Sequence, residues 1–79
     1  MNILDIKGTS SEIKFILDNN NIVFANGELQ NNGFFAYKSS MKLQESQGER
    51  VMSTQEKEEF IKYVKDFLSH KEFTVNFFD

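Results

Sequence analysis

The sequence predicts an α+β fold: an antiparallel sheet of four to five strands with one amphipathic helix packed on one face, in the order β-β-β-α-β. Three observations carry that expectation. Apolar residues alternate with polar ones in several short stretches, the period of a half-buried strand. Asn- and Gly-rich clusters separate those stretches at turn-like spacing. One segment carries a helix-capping signature directly ahead of an apolar stripe at helical spacing. No linker or internal repeat divides the chain, so residues 1–79 form one small domain.

Ile13, Phe15 and Leu17 alternate with Glu12, Lys14 and Ile16, which defines the first strand. Residues 3–6 supply a further strand if they pair. Asp18-Asn-Asn-Asn21 marks a turn, because Asn and Asp tolerate left-handed backbone and bond their own main chain. Ile22-Val-Phe-Ala25 follows as a strand. Asn26-Gly27 is either a tight hairpin turn or a glycine bulge inside a strand that continues through Glu28 and Leu29. The bulge suits the next turn, Gln30-Asn-Asn-Gly33, since two hairpins so close would leave almost no strand between them. Phe34-Phe-Ala-Tyr-Lys38 carries aromatic side chains on both faces, as a central strand does. The stretch Ser39–Met52 reads as polar and irregular, anchored by Met41, Leu43 and Val51.

Ser53-Thr-Gln-Glu56 is a capping box, in which the Ser hydroxyl and the Glu carboxylate satisfy each other's backbone N–H groups. Phe60, Ile61, Val64, Phe67 and Leu68 form the apolar stripe of the helix behind it. Glu58 with Lys62, and Lys62 with Asp66, stand one turn apart on its wet face. Phe73-Thr-Val-Asn-Phe77 alternates as the closing strand.

The composition excludes most catalytic chemistry. There is no Cys, Trp or Pro, and His70 is the only imidazole. Cysteine-based nucleophiles, thiolate metal sites and disulfides are therefore absent. His70 sits at the end of the helix, where it suits a C-terminal capping role better than that of a general base. No serine occupies the glycine context of a nucleophile elbow, and the four glycines stand singly rather than in a phosphate loop. No catalytic residue, cofactor or metal site is expected. Nine Phe and two Tyr are instead the richest resource of the chain, and burying each Phe is worth about 1.5–3 kcal/mol.

Residues 45–59 hold Glu45, Glu49, Glu56, Glu58 and Glu59 against Arg50 and Lys57, a local balance of −3 that equals the net charge of the whole chain. Arg50 is the only arginine, and arginine supplies most bidentate contacts to phosphate and guanine, so nucleic-acid binding is disfavoured. An acidic segment suits a basic protein partner. Glu28 follows Gly27 inside an apolar strand and needs either solvent, backbone donors or a partner. The N-terminus lacks the charged start and apolar stretch of a secretory signal, and no apolar run approaches the length of a membrane span. A soluble, cytoplasmic protein is expected.

The run Ile22-Val-Phe-Ala-Asn-Gly-Glu-Leu29, followed by Phe35-Ala-Tyr37, Ser39-Ser40, Ser53-x-x-Glu56 and Phe73-Thr-Val-Asn-Phe77, resembles the immunity protein 74 family of bacterial polymorphic toxin systems. The likeness extends from about Glu12 onward. The Gly-Glu pair of the family falls on Gly27 and Glu28; where the family has a tryptophan and a proline before the helix, this chain has neither, and Leu43 stands near the tryptophan's place. The resemblance implies a non-enzymatic protein that binds and blocks a cognate toxin. If that toxin is a basic nuclease, a toxin-facing surface is expected to involve Glu28, Glu45, Glu49, Glu58 and Glu59, with Tyr37 and Tyr63 as aromatic anchors. The alternatives are a homodimeric interaction module joined through an exposed edge strand and, further behind, a nucleic-acid-binding regulator using Phe34, Phe35 and Tyr37 for stacking.

Overall fold

Strand alternation and turn chemistry assemble the first half of the molecule as a meander. The computed structural model describes residues 2–79. Strand β1 (Ile3–Gly8) pairs antiparallel with β2 (Glu12–Leu17), and β2 pairs antiparallel with β3 (Ile22–Gln30). The Thr9 hydroxyl accepts from the Ser11 and Glu12 N–H groups in the first turn. In the second turn Asn20 takes a left-handed φ of 69°, the conformation for which asparagine is suited. Strand β4 (Gly33–Tyr37) returns along β3 after Asn31 and Asn32, with Asn32 again left-handed.

The chain differs here from the expected four- to five-stranded antiparallel sheet: it is α+β with seven strands. Residues 42–51, expected to be irregular, form a hairpin of β5 (Lys42–Glu45) and β6 (Gly48–Val51). Its sequence shows no period-two apolar pattern because nearly every side chain in it is exposed. The hairpin is closed by Gly48 at φ 128°, a backbone that L side chains rarely adopt. The sheet is also mixed rather than antiparallel. After helix α1 (Thr54–Leu68), strand β7 (Thr74–Phe78) lies parallel to β4, in the order β1-β2-β3-β4-β7. Parallel strands require a crossover, and β5, β6 and α1 together provide it.

Asn26-Gly27 is not a hairpin turn: β3 runs straight through it. What changes at that point is the neighbour. Ile22–Phe24 pair with β5, whereas Gly27–Gln30 pair with β4 on the same side. The interruption is a 3-10 turn, Lys38–Ser40, in the facing chain. There the Ser40 hydroxyl replaces the missing strand, accepting from the Asn26 N–H at 2.8 Å and donating to the Tyr37 carbonyl at 2.7 Å. Gly27 is needed for space, since a Cβ there would collide with the Phe35 carbonyl oxygen and stand 2.8 Å from the Phe34 ring.

Strand alternation sends Ile13, Phe15, Leu17, Val23, Ala25, Phe34 and Ala36 to one face of the sheet, where all are buried. Phe60, Val64 and Leu68 of α1 pack on that face. Phe60 meets Phe15 edge-to-face with centroids 5.1 Å apart, and Phe77 flanks Phe15 at 6.4 Å. Met41 and Met52, at the two ends of the β5–β6 hairpin, are buried with them and tether it. Ser69, rather than His70, caps the helix C-terminus: its hydroxyl donates to the Asp66 carbonyl at 2.9 Å. No helix among the described residues is long and apolar enough to cross a membrane.

Candidate functional site

One helix covers one face of the sheet, so the opposite face is left bare. The same alternation that buries Phe34 and Ala36 turns Phe35 and Tyr37 outward. The parallel register then sets Phe78 beside them, because Tyr37 lies opposite Phe78 and Phe35 opposite Asn76. The Phe78 ring meets Phe35 at 5.4 Å and Tyr37 at 5.2 Å, both edge-to-face. The three rings brace each other, yet remain 36%, 40% and 37% exposed for Phe35, Tyr37 and Phe78. Half-buried Ile16, Ile22 and Phe24 extend the same face across β2 and β3. Three aromatic rings braced against one another in the open are the composition of the centre of a contact surface.

Charges of both signs share this face: Lys14 and Lys42 lie opposite Phe24 on its two sides. Glu28 is exposed and faces Phe35 across the β3–β4 ladder, which places it on the bare side. Glu49, opposite Gln44, lies in a shallow depression with Glu12, Lys14 and Phe24 on that side. Glu12 stands 3.9 Å from Lys14.

The remaining residues expected to face a partner lie elsewhere, because pleating splits the acidic segment between two faces. Arg50 and Glu45 point to the helix side of the β5–β6 hairpin. Arg50 donates two parallel hydrogen bonds to the Glu56 carboxylate at 2.8 Å each and a third, from Nε, to Glu45 Oε1 at 3.1 Å. Glu56 also closes the capping box, accepting from the Ser53 N–H at 2.9 Å while the Ser53 hydroxyl accepts from the Glu56 N–H at 3.2 Å. Arg50 thus clasps the hairpin to the start of the helix. Glu58, Glu59 and Tyr63 lie on the exposed side of α1, with Glu59 accepting from Gln55 at 3.2 Å. Tyr63 shares a groove with Glu59, Lys62 and Asp66. Ion pairs between Glu58 and Lys62 or Lys62 and Asp66 are not formed among the described residues, whose ion pairs are those of Lys14 and Arg50.

The clasp has a pH signature. The Arg50 guanidinium, followed by the Ser53 N–H, lowers the Glu56 carboxyl from an ordinary value of 4.5 to about 2. A carboxyl depressed by folding stabilises the fold above its unfolded value and ceases to do so as pH falls through its folded one. The contribution is therefore complete above about pH 4.5 and is lost on descending toward pH 2. In Glu56→Gln, thermal melting between pH 5 and 2 is expected to show a shallower fall than in the parent. An unchanged acid slope would show that the clasp adds nothing. The partners are half-exposed, and surface ion pairs are individually weak.

A second apolar feature escapes the sequence altogether. Leu4, Ile6, Leu29, Phe67 and Phe73 converge from four separate segments on a cleft of about 470 Å³ near the helix C-terminus. Leu4 is bulged out of β1 there. The charged neighbours of the cleft are already engaged, Asp5 accepting from the Ile6 N–H at 2.8 Å and Lys71 lying 5.2 Å over the Phe67 ring. No convergent set of polar groups is left to orient a small ligand. Among the described residues there is likewise no group of three or more His, Cys, Asp or Glu that could hold a metal ion.

The fold is thus a small mixed sheet with a helix on one face and the Phe35–Tyr37–Phe78 cluster on the other. The chain belongs to the immunity protein 74 family, whose model it matches over residues 5–78. Immunity proteins of such families act against toxins and are generally not enzymes. No curated protein and no solved structure matches the chain.

Proposed function

We propose that this protein binds and neutralises a cognate bacterial toxin in the cytoplasm, without catalysis, by docking the toxin on the bare face of its sheet. Tyr37, Phe35 and Phe78 are the anchors and Glu28 and Glu49 the acidic rim. The observation that carries the reading is the aromatic cluster itself: three mutually packed rings, each more than a third exposed, on the face that α1 leaves uncovered. Rings held by their neighbours lose little conformational freedom on binding, which is what makes aromatic anchors effective. Net charge of −3 favours a basic partner such as a nuclease. Glu58 and Glu59, on the helix, add long-range attraction rather than contact, and the charge of Glu45 is offset by Arg50.

Co-expression with a toxin domain found encoded next to this gene tests the class. Growth is expected to be restored by the intact chain, and the two proteins are expected to purify together. Lethality unaffected by co-expression, with no complex recovered, overturns the reading.

A further inference from the structure

The sheet ends in three free edges, and they are not equally protected. Edge strand β1 carries a bulge at Leu4 and the charges of Asp5 and Lys7, and β6 carries Glu49 and Arg50. These are the devices that keep strand edges from pairing. Strand β7, Thr74-Val-Asn-Phe-Phe78, has none: no charge, no proline and no bulge against β4. It pairs with β4 alone, and the only other backbone bond at it runs from the Thr74 N–H to the Asn32 carbonyl. The N–H and C=O groups on its far side therefore have no partner within the described chain.

We infer that the β7 edge is a self-association surface, on which a second copy of this chain adds its own β7 antiparallel about a two-fold axis at Asn76. The sequence of β7 is complementary to itself in that register. Val75 of one copy falls opposite Phe77 of the other on the helix side, where both already pack toward the core. Thr74 falls opposite Phe78 on the bare side. A shift by one residue would set core-facing against outward-facing side chains, so burial excludes it, and centring on Asn76 pairs the strand over its whole length, Thr74–Phe78. At each end Asp79 of one copy falls opposite Phe73 of the other. Beside Asp79 and within the same surface hollow, half-buried Ile61 adds apolar area from the helix. Pairing at this edge leaves the bare face open and sets two Tyr37–Phe78 clusters side by side, so the dimer would present a doubled contact surface.

Asn76 is outward-facing and exposed, and in this register it meets its own copy, which makes it the position to charge. Sedimentation velocity across micromolar to millimolar concentration is expected to give the parent a mass of twice its 9.2 kDa. Asn76→Lys and Asn76→Asp are each expected to sediment as folded monomers, because like charges then oppose across the axis. Mixing the two variants is expected to restore the dimer. A parent that stays monomeric throughout, an Asn76→Lys protein that still dimerises, or a mixture that fails to recover would each overturn the inference. Folding of the variants is read separately from their melting curves.

Discussion

Replacing Gly27 with alanine is expected to cost about 3 kcal/mol or more, because overpacking a filled site forces the surrounding backbone to move. In a domain of this length that corresponds to a fall in Tm of roughly 12–24 °C. The added methyl would stand where the Phe35 carbonyl oxygen now sits, 2.8 Å from the Phe34 ring, which is itself buried. Neither neighbour has room to yield, since Phe35 is held in the β3–β4 ladder and Phe34 in the core. Gly8→Ala is the control: its Cβ would meet the Glu12 carbonyl at 3.5 Å, an ordinary contact, and should change stability by no more than about 0.5 kcal/mol. Equal effects at the two glycines would show that the Phe35 strand yields and that Gly27 is not needed for space.

Phe60→Ala is expected to cost about 3–5 kcal/mol, the range for deleting a buried aromatic ring. Phe60 is 1% exposed and meets Phe15 edge-to-face in the middle of the core. Net stability of so small a domain is itself only a few kcal/mol, so this variant should be largely unfolded at 37 °C, as seen by circular dichroism. Phe35→Ala, on the bare face, should cost about 1 kcal/mol, the worth of an exposed aromatic pair. A Phe60 variant that melts like the Phe35 variant would refute the division of the aromatics into core and surface.

That division was half legible in the sequence. Period-two alternation identified Phe35 and Tyr37 as one face and Phe34 and Ala36 as the other, but not which face the helix would cover. The capping box and apolar stripe located α1 because both signals are local. Strands β5 and β6 could not be read, since solvated strands lack an apolar period and only Gly48 marked their turn. The parallel pairing of β4 with β7 is a long-range contact across a crossover, and nothing local encodes it. Phe78 joins the cluster only through that pairing, which is why it was not among the expected anchors. Arg50 was visible only as a base in an acidic stretch; its clasp on Glu45 and Glu56 depends on a hairpin the sequence concealed.

The most direct measurement is the affinity of a cognate toxin domain for three forms of this protein, taken at one salt concentration by calorimetry. Tyr37→Ala/Phe78→Ala, which strips the bare face, is expected to weaken binding at least about 100-fold, because two anchors worth about 2 kcal/mol each are lost and every 1.4 kcal/mol is tenfold. Tyr63→Ala, on the helix, is expected to bind within about threefold of the parent, as a residue outside the contact would. The opposite pattern, loss at Tyr63 and none at Tyr37 and Phe78, would place the toxin on the helix side and contradict the assignment of the bare face.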